Sequence, residues 1–219
     1  MLNQTSRLSD APVRDDVMLA CVGARGVMAG RGYTIFDTAI GRCGIAWGEA
    51  GVAGVQLPEL REIDTRRRLF QLYPDARETR PPEEIELAIE GIAATLRGSD
   101  ADLAGVALDM SGMPAFNQRV YQAVRSIPRG ETRTYEDIAS ALRATGAVYS
   151  VAQALGRNPF MIIVPCHRVL EAGHYPDRIS ANGGSISKRR LLSIEGAQPT
   201  TSKTLFDVLL PVARPRPHA

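Results

Sequence analysis

Apolar and polar residues alternate with a period of two from Tyr33 to Thr38, Cys43 to Trp47 resumes the extended pattern, and Val52 to Leu57 is a third short apolar run. Gly41 and Gly44 punctuate the first gap and Gly51 the second, so the runs read as three strands of an antiparallel meander. The period then lengthens. Glu59 to Tyr73 has helical spacing, with Leu60, Ile63, Leu69 and Leu72 on one face. Glu83 to Leu96 reads as a second helix with Pro81-Pro82 at its start. Ala104 to Leu108 reads as one more strand.

A turn-rich joint over residues 109–115 separates this half from a helical one. Phe116 to Ile127 carries Val120, Ala123, Val124 and Ile127 at helical spacing, and Pro128-Arg129-Gly130 stops it. Thr134 reads as the N-cap of a helix through Leu142, with Asp137 in the capping-box position. Gly146 marks a turn, and Val148 to Leu155 resumes helix. This helix–turn–helix spacing occurs in DNA-binding domains and in many others. Met161 to Val164 reads as a β-branched strand leading into Pro165-Cys166-His167-Arg168. Lys188 to Glu195 reads as a final short helix. Residues 1–30 lack clear periodicity and read as a flexible extension. The tail over 198–219, with Pro199, Pro211, Pro215 and Pro217, reads as loose.

Composition narrows the picture modestly. The chain has 219 residues, 44% hydrophobic and 23% charged, as in ordinary globular proteins. No apolar run reaches the ~20 residues that span a bilayer, so no membrane association is expected. The formal charge of +2 does not by itself point to nucleic acid. Arg119, Arg125, Arg129, Arg133, Arg143, Arg157, Arg168, Arg189 and Arg190 crowd the second half; they suit either a solvated surface or a phosphate-binding face. Three cysteines and no secretory leader fit a reducing, cytoplasmic setting without disulfides. No Cys/His spacing resembles a zinc site, so neither metal nor cofactor is expected.

The candidate chemistry lies at Cys166. Cys43, in a core strand, reads as packing, and Cys21 as an unremarkable thiol. Cys166 follows Pro165 at the end of an apolar run and adjoins His167. A free thiol, with a pKa of ~8.5, is mostly protonated at neutral pH. A histidine that accepts its proton, itself oriented by an acid, removes that obstacle.

The run Asn158-Pro159-Phe160-Met161-Ile162-Ile163-Val164-Pro165-Cys166-His167-Arg168-Val169 resembles the active-site signature of the O6-alkylguanine-DNA alkyltransferases. The resemblance extends through Phe116-Asn117-Gln118-Arg119-Val120, Ile127 to Thr132 and Tyr135 to Ala139, and on to Gly183-Gly184, Lys188 and Glu195-Gly196. It is strong over about 115–197 and weaker at Phe36 to Gly41 and Gln56-Leu57-Pro58. It implies an α+β fold with two domains. An N-terminal domain over 31–110 would hold a small antiparallel sheet with helices, ribonuclease-H-like. A C-terminal helical domain over 115–197 would hold the helix–turn–helix and the active-site cysteine.

It also implies a monomeric suicide enzyme that moves a methyl or other alkyl group from O6-alkylguanine in double-stranded DNA, and from O4-alkylthymine, to Cys166. His167 would take the thiol proton through a water, Glu195 would orient the histidine, and Asn158 would brace the turn. The carbonyls of Cys166 and Val169 would accept from the guanine amino group. Ser180 would meet O6, Tyr135 would meet N3, and Lys188 would support the site. Thr134, Tyr149, Ser150, Ala152, Gln153 and Arg157 would face DNA.

The chain departs from the family pattern at two functional positions. Tyr149 stands where the recognition helix carries a base-flipping arginine, and Ile179 where the pocket carries an aromatic residue. Arg143 and Thr145 also replace the glycine and proline common in the preceding turn. These departures leave two further readings open: a relative that senses alkylated DNA but transfers poorly, and a thiol that accepts alkyl groups from a non-DNA donor.

Overall fold

A computed structural model describes residues 32–171 and 188–197. The extension over 1–30, the tail over 198–219, and Ile179 and Ser180 lie outside the described residues.

The meander forms as the three runs and their glycine turns predict. β1 (Gly32–Thr38), β2 (Gly41–Gly48) and β3 (Gly51–Gln56) pair antiparallel in sequence order. Gly41 turns at φ +126°, a backbone region that favours glycine. Gly44 is not a turn residue: it lies within β2, where a Cβ would come 2.3 Å from Leu69 Cδ1. Its missing side chain lets the next helix approach.

That helix, α1 (Glu62–Leu72), starts three residues later than its spacing suggests and buries only part of the expected face. Thr65 and Leu69 point inward, while Leu60 and Ile63 are exposed. Leu69 and Tyr73 pack on Ala46 and Ala53 of the sheet, and the Tyr73 hydroxyl donates to Ala53 O at 2.9 Å. A two-residue strand, β4 (Arg77–Glu78), adds parallel to β1. The sheet order is therefore β3-β2-β1-β4.

The other face of the sheet, through Phe36, Cys43, Ile45 and Trp47, packs on α2 (Glu83–Leu96), which has the predicted ends. The same apolar core continues into the helical half through Val120, Ile138, Val151 and Phe160. Residues 104–108 form no strand; Leu108 makes a single bridge to Val52. Three carbonyls of this connection, Leu103, Ala104 and Val106, accept from Arg125 Nη2 at 2.7–3.0 Å.

The helical half comprises α3 (Ala115–Arg125), α4 (Tyr135–Ala141), α5 (Val148–Gly156) and α6 (Lys188–Glu195). Thr134 caps α4 in the expected reciprocal box: its hydroxyl accepts from Asp137 N at 3.1 Å, and Asp137 Oδ2 accepts from Thr134 N at 2.8 Å. Two further two-residue strands, β5 (Arg133–Thr134) and β6 (Val169–Leu170), pair in parallel. They bring the start of α4 beside the cysteine turn. The chain is thus α+β, with a small sheet followed by a helical half. No described helix is long and apolar enough to cross a membrane.

Candidate active site

Helix α5 runs directly into Arg157 and Asn158, so the outward helix and the reactive turn share one backbone. Asn158 is fully buried. Its Oδ1 accepts from Phe160 N at 2.9 Å and its Nδ2 donates to Val164 O at 2.9 Å. Val164 N in turn donates to Phe160 O at 2.8 Å. This closes a tight turn, not the strand expected over 161–164. Ile162 sits at its apex with φ 71°, a left-handed conformation that is costly for a β-branched side chain. The sheet supports the turn from outside: Val55 N donates to Pro159 O at 2.8 Å.

Cys166 opens a short 3₁₀ turn, Cys166–Arg168, just after this structure. The thiol is buried, with 1% of the residue exposed, and lies 3.9 Å from the Met161 sulfur. His167 is equally buried. Its Nε2 is 2.8 Å from Glu195 Oε1 at the end of α6. Burial pushes the His167 pKa below its ordinary value more than the Glu195 carboxylate raises it. Burial alone would raise the Glu195 pKa, but hydrogen bonds from His167 and Arg168 together bring it down to about 2. At neutral pH the pair is therefore a neutral imidazole donating from Nε2 to a carboxylate. The remaining nitrogen, Nδ1, is buried with no hydrogen-bond partner among the described residues and keeps its lone pair. A neutral imidazole with an open lone pair can take a proton.

Arg168 was not among the expected site residues. It donates from Nε to Glu195 Oε2 at 2.9 Å, from Nη2 to Oε1 at 2.8 Å and from Nη1 to Ile127 O at 2.6 Å. Glu195 is thus held in place and kept ionised by Arg168 as well as by His167. A buried acid calls for a cation, and the arginine next to His167 was the available signal.

Lys188 is buried and joins two other expected residues. Its Nζ donates to Val169 O at 3.0 Å and to the Tyr135 hydroxyl at 3.2 Å. The Val169 carbonyl oxygen accepts from Lys188, and a carbonyl oxygen has two lone pairs. The expected helix face also forms. Tyr149, Ser150, Gln153 and Arg157 are exposed, and Thr134 and Ala152 are half-buried. Val151, Ala154 and Leu155 turn inward, where the Tyr121 hydroxyl caps Ala154 O at 3.0 Å. Cys43 is fully buried, and burial raises its thiol to about 12, which leaves it inert.

The family described as "6-O-methylguanine DNA methyltransferase, DNA binding domain" matches residues 115–197. The methylated-DNA–protein-cysteine methyltransferase of Methanothermobacter thermautotrophicus is 36% identical over 157 residues, 70% of this chain and 78% of that protein. The chain belongs to the O6-alkylguanine-DNA alkyltransferase family. The crystal structure of the Mycobacterium tuberculosis O6-methylguanine methyltransferase is similar at a TM-score of 0.57 and 31% identity, over 77% of this chain and 95% of that one. A structure of the same mycobacterial protein in complex with DNA is similar at a TM-score of 0.55 and 30% identity, over 75% of this chain and 92% of that one.

Proposed function

We propose that this alkyltransferase acts once, as a cytoplasmic monomer, taking an alkyl group from O6-alkylguanine in duplex DNA onto Cys166. The buried His167–Glu195 pair immediately after the cysteine carries the reading. The thiol proton passes through a water to His167 Nδ1, the lone pair left open by the Nε2 bond to Glu195. The thiolate then attacks the alkyl carbon. A sulfur–carbon bond forms, the carbon–O6 bond breaks, and guanine leaves with the electron pair and recovers a proton. Tyr135 supplies a donor toward the base, Lys188 supports it, and the Val169 carbonyl accepts from the base's amino group; a donor that meets developing charge lowers the barrier. The family resemblance assigns the pocket wall to Ile179 and the O6 contact to Ser180, both of which lie outside the described residues. The thioether formed has no route back to a thiol, so each molecule acts once.

The face of α5 formed by Ser150, Ala152, Gln153 and Arg157, together with Thr134, lies along the DNA. A chain that only recognised damage would need neither the thiol nor the paired imidazole, which favours transfer.

Intact-mass measurement tests the reading. Incubation with a duplex holding one O6-methylguanine adds a single methyl mass to the peptide containing Cys166, and Cys166→Ala abolishes it. A wild-type protein that stays unmodified at high concentration and long times overturns the proposal.

A further inference from the structure

Helix α1 buries Thr65 and Leu69 toward the sheet. Its outer side is not polar. Ile63 is 55% exposed and Phe70 60%, with Arg67 between them at helical spacing, and Leu60, just before the helix, is 93% exposed. Three large apolar side chains along the outside of one helix are more than scattered surface residues and mark a contact surface. Arg61 and Arg67 both reach the carboxylate of Asp64, at 2.8 and 3.1 Å, so two positive charges flank this surface against one negative.

The chain carries a segment of matching chemistry. Within the 31 residues before Gly32, Val17-Met18-Leu19-Ala20-Cys21-Val22 is an unbroken apolar run, and Asp15-Asp16 stands directly before it. Gly32 pairs with Arg77, five residues after Leu72 ends α1, so this segment enters the fold beside the Phe70 end of the helix. Nine residues separate Val22 from Gly32. They reach about 30 Å when extended, and α1 is only about 16 Å long. The other apolar run near a terminus, Leu205 to Leu210, follows Ala197, which packs on Leu170 and Leu192. Leu192 belongs to α6, and α6 lies against α2, on the opposite face of the sheet from α1.

We propose that residues 15–22 dock along the outer side of α1. The apolar run covers Phe70, Ile63 and Leu60 in that order, working back from Val22, and Asp15 and Asp16 meet Arg67 and Arg61. The N-terminal extension is then an intramolecular strap on the sheet domain, and it stands apart from the alkyltransferase reading.

Cys21 lies in the strap, whereas Cys43 and Cys166 are buried, so thiol chemistry in the full chain reads the contact. In Phe70→Cys, a mild oxidant should link Cys21 to the new thiol at monomer mass. Leu87→Cys, exposed on α2 across the sheet, should link about tenfold less or worse, because docking raises the effective concentration at one site only. With all native side chains, Cys21 should react with a neutral thiol reagent on the order of 10-fold more slowly than in a synthetic peptide of residues 1–30, since the strap must open first. Ile63→Ser combined with Phe70→Ser should restore the peptide rate. Equal linking at positions 70 and 87 overturns the proposal, as does a Cys21 that reacts at the peptide rate in the wild type. Protection of Cys21 that survives the double serine variant places the strap elsewhere and overturns it too. A link found at dimer mass gives the surface to a second copy. Hydrogen exchange over residues 60–73 that rises on removing residues 198–219 but not residues 1–22 gives it to the tail; either result overturns the proposal.

Discussion

Arg168 grips both oxygens of Glu195, Nε to Oε2 at 2.9 Å and Nη2 to Oε1 at 2.8 Å, so the acid that orients His167 is itself held in a fixed plane. The Glu195 side chain is 2% exposed. Removing the guanidinium leaves a buried carboxylate with only a neutral imidazole, at a cost of about 3–5 kcal/mol. Arg168→Met should lose that much stability in urea unfolding and slow transfer to Cys166. Arg168→Lys should fall between, because an ammonium cannot span both oxygens in one plane. A methionine variant with wild-type stability and rate would show that Glu195 needs no such partner.

Acid should destabilise the fold in two stages. His167 has a lowered pKa when folded, so below about pH 6.5 the unfolded chain takes up a proton that the folded chain refuses. Glu195 sits at about 2 when folded against 4.5 ordinarily. Its contribution is complete above pH 4.5 and is lost as pH falls toward 2, on the order of 3 kcal/mol in all. Unfolding free energy measured from pH 8 to 3 should decline through both ranges, and Glu195→Gln should flatten the lower one. Transfer by the folded protein should not fall off at pH 6.5, because the imidazole stays neutral below that value.

Asn158 satisfies two buried backbone groups at once. Asn158→Ala leaves Phe160 N and Val164 O without that partner, and the loss should be about 2–5 kcal/mol with a collapse in transfer rate. Asn158→Asp should do no better, since it sets an oxygen against Val164 O. Thermal unfolding beside the mass assay decides. An alanine variant with full activity would show that the turn holds its shape without the brace.

Arg143 lies in the turn between α4 and α5 with φ 55°. A non-glycine residue there costs roughly 1–2 kcal/mol, and glycine gives back part of that through a more flexible unfolded chain. Arg143→Gly should therefore stabilise the protein by about 0.5–1 kcal/mol. A lower unfolding midpoint would mean that the side chain has a stabilising contact that outweighs the strain.

The parts legible in the sequence are those whose causes are local. The ends of α2 and α6 follow from Pro81-Pro82 and from apolar spacing, and the α4 cap from a hydroxyl and an acid three residues apart. Tertiary contacts overrode local pattern elsewhere. In α1, Leu69 faces inward where Gly44 leaves it room, while Ile63 and the preceding Leu60 are exposed. The run over 161–164 has the side chains of a strand, but Asn158 folds it into a turn. β4, β5 and β6 are two residues each, too short for any period to show. At the site, Cys166, His167, Glu195 and Asn158 were legible as a signature. The grip of Arg168 was not, because it depends on α6 returning to the cysteine turn from 27 residues further along.

The outer edge of β3 has a consequence beyond the chemistry. Val52 exchanges backbone hydrogen bonds with Ala107 and Asp109, and Val55 donates to Pro159. An uncovered strand edge is a template for pairing with other molecules. Here the segment leading to the reactive cysteine serves as part of the cover. Any lesion that pulls this segment away from Val55 silences the thiol and bares a sticky strand in the same event. Damaged copies of this protein should therefore be lost to aggregation as well as to inactivity.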